Sequence, residues 1–221
     1  MARKFYTIQE SYEGIAPFFG LFGRLVESRA RSMSLRLSAT PAGSTMLILA
    51  PPTEYFAEHL LRFNARGESH LVFFSERMRR QAVQRLGDRY ACETRVGEPH
   101  VLPYRDAKFK RVFAYCYFDF LRADQRTAAG AELLRILSPG GLALTTYLAH
   151  PKGAIQRLCV FGLRLGGLSK GLTPIELRPV LEEVGFSKIE IVPCHQRGAP
   201  IELAKASKRV CKLDRCSDEN V

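Results

Sequence analysis

Residues 132–148 read Glu132-Leu133-Leu134-Arg135-Ile136-Leu137-Ser138-Pro139-Gly140-Gly141-Leu142-Ala143-Leu144-Thr145-Thr146-Tyr147-Leu148. The helical face of 124–137, with Ala128, Leu133, Leu134 and Leu137, meets a proline and two glycines, and an apolar run follows. Such a break predicts a turn, and the run after it suits a strand buried on both faces. The same unit recurs upstream. Met46-Leu47-Ile48-Leu49-Ala50 precedes a helical stretch over 55–63, and 69–74 precedes 76–86, where Met78, Ala82 and Leu86 recur at helical spacing. The β-branched and aromatic run 111–118 precedes the helix at 124–137. Downstream, Thr173-Pro174-Ile175-Glu176 predicts a capped helix start, with Gly185 as its stop and a kink at Pro179. Strands at 189–192 and 201–204, joined through Gly198-Ala199-Pro200, predict an antiparallel hairpin. Strands alternating with helices and closed by a hairpin predict an α/β, Rossmann-like, doubly wound and mostly parallel sheet.

The 221 residues suit one domain with a substantial core, and 46% hydrophobic with 25% charged residues excludes disorder and a disulfide miniprotein. No apolar run approaches the roughly 18 needed to span a bilayer as a helix, since the best, 15–22, is broken by Pro17 and Gly20. Cysteines at 92, 116, 159, 194, 211 and 216 form no C-x-x-C pair, so neither a zinc site nor a disulfide framework is expected, and a reducing, intracellular compartment is. The basic start Met1-Ala2-Arg3-Lys4 suggests a mitochondrial location. The organisation expected is an N-terminal helical segment (1–40) packed on a main domain (41–206), followed by a basic polar tail (207–221).

In order and spacing these motifs resemble the class I S-adenosylmethionine (SAM) dependent methyltransferases, most nearly the ubiquinone/menaquinone C-methyltransferase branch. Val96-Gly97-Glu98-Pro99-His100-Val101-Leu102-Pro103-Tyr104 resembles G-D-A-x-x-L-P-F, and Arg105-Asp106-Ala107-Lys108-Phe109-Lys110-Arg111-Val112 resembles D-x-S-F-D-x-V. Residues 132–141 resemble E-x-x-R-V-L-K-P-G-G, and Glu182-Glu183-Val184-Gly185-Phe186 precedes the hairpin as in the family. The resemblance implies a seven-stranded sheet. It also implies a glycine-rich cofactor loop, V-L-D-L-G-C-G-T-G, where this chain reads Met46-Leu47-Ile48-Leu49-Ala50-Pro51-Pro52-Thr53-Glu54. Ile48 stands at the acid position, and Ala50, Pro52 and Glu54 stand at the glycines. Phe73 stands at the acid that grips the ribose, and only Glu98 retains a carboxylate, where an adenine amino group would be met. Glycines permit close backbone approach and supply amide donors, whereas proline removes the donor and phenylalanine accepts no hydrogen bond.

The expectation is therefore a methyltransferase-fold protein without SAM binding, cofactor, metal or catalytic residue. It would act as a structural or assembly subunit of a larger complex, one containing RNA of the mitochondrial-ribosome type. Two other readings stand beside it: an active SAM-dependent methyltransferase on a quinone-like or other small acceptor, and a non-catalytic partner in a lipid or quinone biosynthetic complex. Lys and Arg exceed Asp and Glu by 33 to 22, a formal charge of +11 that favours polyanionic neighbours. Arg29, Arg31, Arg36, Arg77, Arg80, Lys208 and Arg209 are the candidate RNA or partner contacts, through guanidinium and ammonium groups meeting phosphate. Protein subunits rank first as partners, RNA second and a membrane surface last. His100 and His150 read as bystanders, and the apolar stretch 153–168, with Arg157 and Arg164, reads as a cover over substrate or a docking surface.

Overall fold

The structure, a computed structural model, describes residues 28–41, 43–49, 54–165, 173–194 and 198–210. Its strands are β1 (Met46–Leu49), β2 (Ser69–Phe73), β3 (Glu93–Val96), β4 (Phe109–Tyr115), β5 (Leu137–Leu148), β6 (Ser187–Pro193) and β7 (Ile201–Ser207). They form one sheet in the order β3-β2-β1-β4-β5-β7-β6. β1 to β5 run parallel, and β7 lies antiparallel between β5 and β6. Helices α1 (Ser28–Ser38), α2 (Glu54–Phe63), α3 (Glu76–Leu86), α4 (Ala123–Ile136), α5 (Ala154–Leu165) and α6 (Arg178–Glu183) accompany the strands. Every residue of β1 and β2 is buried, as continuous apolar strands of a covered parallel sheet require. β3, an edge strand reading Glu-Thr-Arg-Val, is mostly exposed.

The helices present the faces their spacing implies. Ala57, Leu60 and Leu61 of α2, Met78, Ala82 and Leu86 of α3, and Ala129, Leu133 and Ile136 of α4 are buried. α1 is tied to the sheet by polar contacts: Ser34 Oγ lies 2.6 Å from the Tyr115 hydroxyl, and Arg111 donates to the Ser38 carbonyl at 2.9 Å. Among the described residues, no helix is long and apolar enough to cross a membrane.

Two local expectations are overturned. Pro139-Gly140-Gly141 does not separate α4 from a later strand, because β5 begins at Leu137 and the turn bulges within it. The register moves from Phe109 opposite Leu137 to Arg111 opposite Leu142, and reciprocal bonds of 3.0 Å, Gly140 to Lys208 and Lys208 to Gly141, hold the bulge against the end of β7. Likewise, no helix starts at Thr173. The amides of Thr173 and Ile175 donate instead to Asp119 and Leu148, at 3.2 and 2.9 Å, with Ile175 and Leu177 buried. The helix begins at Arg178, so Pro179 falls in its first turn, where a missing amide costs no helical bond and no kink follows.

The junction of α2 and β2 is built on close approach. Asn64 is buried and donates from Nδ2 to the Ser44 carbonyl at 2.9 Å and to Ser69 Oγ at 3.0 Å. A Cβ on Gly67 would stand 2.5 Å from the Ser44 carbonyl oxygen and 2.4 Å from Asn64 Oδ1, so backbone must move to admit it. Gly67→Ala should therefore lower stability by about 1–3 kcal/mol, read as a lower denaturant midpoint at unchanged slope.

Candidate functional site

In a doubly wound sheet the ligand crevice lies beyond the carboxyl ends of the strands, where the strand order reverses. Here that point is between β1 and β4. Ile48, fully buried, pairs with Leu71 on one side and Phe113 on the other. β2 ends at Phe73 and Phe74 follows it, both buried. β4 ends at Tyr115, and Cys116 after it has a φ of +45°, a left-handed conformation uncommon outside glycine, where the chain turns into Tyr117 and the short turn Phe118–Phe120. Tyr117 is completely buried and donates its hydroxyl to the Pro99 carbonyl at 2.7 Å. Its ring lies 5.6 Å from that of Phe74 and 4.9 Å, edge on, from that of Phe118. Burial, with a smaller contribution from Glu132, pushes its phenol well above the ordinary value, so it stays a neutral donor. Gly97 packs under the same loop, where a Cβ would meet Pro103 at 3.1 Å and Val72 at 3.2 Å.

Two polar clusters hold this edge. Arg135 bonds Glu132 through Nε and Nη2, both at 2.8 Å, and donates to the Tyr104 carbonyl at 2.8 Å and to Asp106 at 2.7 Å. Glu132 also accepts from the Leu102 amide at 2.8 Å, so the pair clamps the loop after β3 to α4. Further along, the buried Asp119 accepts from the Leu148 amide, and its carbonyl accepts from Thr173 at 3.2 Å. Arg126 donates to the Thr173 hydroxyl at 2.8 Å and to the Leu121 carbonyl at 3.1 Å. Beyond the end of β5 a pocket of about 580 Å³ opens, with His150 and Arg157 as its basic groups and Val160, Phe161 and Pro174 among its apolar walls.

The structure disperses the residues singled out by sequence. Ile48 and Phe73 come to the cofactor edge as buried hydrocarbon, while Glu98 is exposed and lies 3.4 Å from His100. Ala50 and Pro52, and the side chain of Glu54, lie outside the described residues. Arg29 and Arg36 border a separate groove of about 360 Å³ between α1 and the end of β6, and the Arg31 side chain lies outside the described residues. Arg77 is exposed on α3, and Arg80 pairs with Glu76 at 3.2 Å. Lys208 donates to the Leu137 carbonyl at 2.8 Å, and Arg209 is exposed. Among the described residues, no cluster of His, Cys, Asp and Glu could hold a metal. Sequence reasoning missed Tyr117, Asp119 and Arg126. The one signal for Tyr117 was the density of aromatic residues in Tyr115-Cys116-Tyr117-Phe118.

Residues 49–145 match the family model described as a methyltransferase domain. A chain of the Haloferax volcanii complex between the Trm112 methyltransferase activator and a methyltransferase superposes with a TM-score of 0.73 at 15% identity, over 91% of this chain and 97% of that one. The chain has the fold of the class I methyltransferases. The [4+2]-cyclase SpnF is similar to it with a TM-score of 0.63 at 17% identity, over 82% of this chain and 80% of that one. Haemonchus contortus phosphoethanolamine N-methyltransferase 2, in complex with SAM, gives 0.64 at 13% identity, over 82% of this chain and 53% of that one. At these identities the likeness is one of fold. No curated protein matches the chain at a significant level.

Ion-paired carboxylates tie the stability of the protein to pH. Arg135 holds Glu132 below the usual carboxylate range, and Arg79 with Arg80 holds Glu76 down to about 2. A lowered native pKa contributes stability above the unfolded value near 4.5 and loses it as pH falls through the native value. Denaturant midpoints should thus decline from about pH 4.5 toward pH 2, and Glu132→Gln should flatten that decline while lowering the midpoint at neutral pH.

Proposed function

We propose that this methyltransferase domain has given up SAM binding and methyl transfer and works by binding, as a non-catalytic subunit of a larger assembly. The observation that carries the reading is the aromatic packing at the crevice: Phe73 and Ile48 stand where the fold family places carboxylates, and Tyr117 bridges to Pro99 across the space between β2 and β4. A cofactor with an ammonium group and ribose hydroxyls would meet hydrocarbon there. Two lost charge-assisted bonds at roughly 1.5–3 kcal/mol each weaken binding by a factor of about 10² to 10⁴ before any steric cost. The described residues therefore do not fit the group. As partner, a protein is favoured over RNA, because Arg80 and Lys208 have partners within the chain.

The pocket beyond β5 favours a second reading, in which His150 and Arg157 border the site of a small acceptor and the domain is an active methyltransferase. Isothermal titration calorimetry of the purified chain with SAM separates the two. The non-catalytic reading expects no saturable heat up to millimolar SAM, and a saturable micromolar isotherm overturns it.

A further inference from the structure

Helix α5 divides its apolar residues between two faces. Val160 is buried and Cys159 half-buried, yet Ile155, Leu158 and Phe161 stand 75%, 71% and 56% exposed on the outer side. These three fall at successive i+3 positions and share one arc of the helix. A surface helix normally gives its outer face to polar side chains. Among the described side chains of α2 and α3, by contrast, the exposed large apolar residues are single: Phe63 and Val83.

The segment that carries this row bears charge of one sign. No acid occurs between Glu132 and Glu176, whereas Lys152 and Arg157 flank the row and Arg164 and Lys170 follow in the sequence. Lys152 has a carboxylate at 3.5 Å, that of Glu202, and remains 78% exposed. The three apolar side chains offer a patch on the order of 400 Å², about half of what each side of a stable protein interface buries. Separate apolar side chains on a convex helix with a cationic border suit a bilayer surface instead, where the side chains enter the acyl boundary and the cations meet lipid phosphate. We propose that α5 is an interfacial helix that seats the protein on a membrane surface rich in anionic lipid headgroups. Ile155, Leu158 and Phe161 insert, and Lys152 and Arg157 supply the headgroup contacts. The sequence ranks a membrane last among partners, and the exposed row is what supports one. The proposal is independent of whether the crevice binds SAM, although Arg157 and Phe161 also line the pocket beyond β5, which thus borders the membrane contact.

Flotation of the full chain with liposomes tests this, using phosphatidylcholine alone against phosphatidylcholine with about 30% phosphatidylglycerol. The wild type should float with the anionic vesicles, lose most binding in high salt, and lose at least tenfold with Leu158→Glu/Phe161→Glu, whose exposed positions leave the thermal midpoint in place. The chain has no tryptophan, so Leu158→Trp supplies a single reporter whose emission should shift to the blue on anionic vesicles, while Val83→Trp should not respond. Failure of the wild type to float, equal flotation of the double variant, or an unshifted Leu158→Trp emission overturns the proposal. So does a stable dimer, formed without lipid and abolished by Leu158→Glu/Phe161→Glu, because the row is then a protein interface.

Discussion

A completely buried phenol, that of Tyr117, donates to the carbonyl of Pro99 and so joins the loop after β3 to the loop after β4 across the carboxyl edge of the sheet. A buried donor left without its acceptor would cost roughly 1–3 kcal/mol, so this bond and the position of the loop after β3 depend on each other. Around it, Phe73, Phe74 and Phe118 fill the edge with rings, and the left-handed turn at Cys116 aims Tyr117 into the gap. In a parallel sheet the strand ends converge on one crevice, and what occupies that crevice decides what the fold can bind. On the proposed reading, side chains of the protein itself occupy it.

The supporting polar groups share a pattern. Glu132 with Arg135, and Asp119 with Arg126, each connect a loop at the carboxyl edge to the helix or strand beside it. Arg135 is half-buried with acceptors on several sides, so it is bound to structure and is not available to a ligand. The motif residues Glu-x-x-Arg, one part of the family resemblance in sequence, are thus the means by which the edge is held in shape. Their presence is consistent with an intact scaffold, and they say nothing about chemistry. On the proposed reading the binding surface lies elsewhere on the molecule, and among the described helix side chains the outer face of α5 is where large apolar residues cluster in solvent.

Much of this was legible from residues alone. Met46-Leu47-Ile48-Leu49 and 69–73 announce strands because both faces of the sheet are covered, and Met78, Ala82 and Leu86 announce the buried face of α3 because helical period maps directly onto one side. β3 was invisible as a strand because an edge position lets Glu-Thr-Arg-Val alternate without an apolar run. Thr173 carried a strong capping signal that tertiary bonds to Asp119 and Leu148 overrode. Tyr117 read as one more strand aromatic, since nothing local marks the turn at Cys116. For α5 the sequence shows only an apolar stretch with two arginines, because apolar residues on both faces of a helix blur its period.

The decisive measurement is a crystal structure of the chain grown with millimolar S-adenosylhomocysteine. Phe73, Phe74 and Tyr117 should remain in place, with the Tyr117 hydroxyl within hydrogen-bond distance of the Pro99 carbonyl and no nucleoside between β1 and β4. Density for an adenosine there, with Tyr117 turned away from Pro99, would contradict a crevice closed by its own side chains.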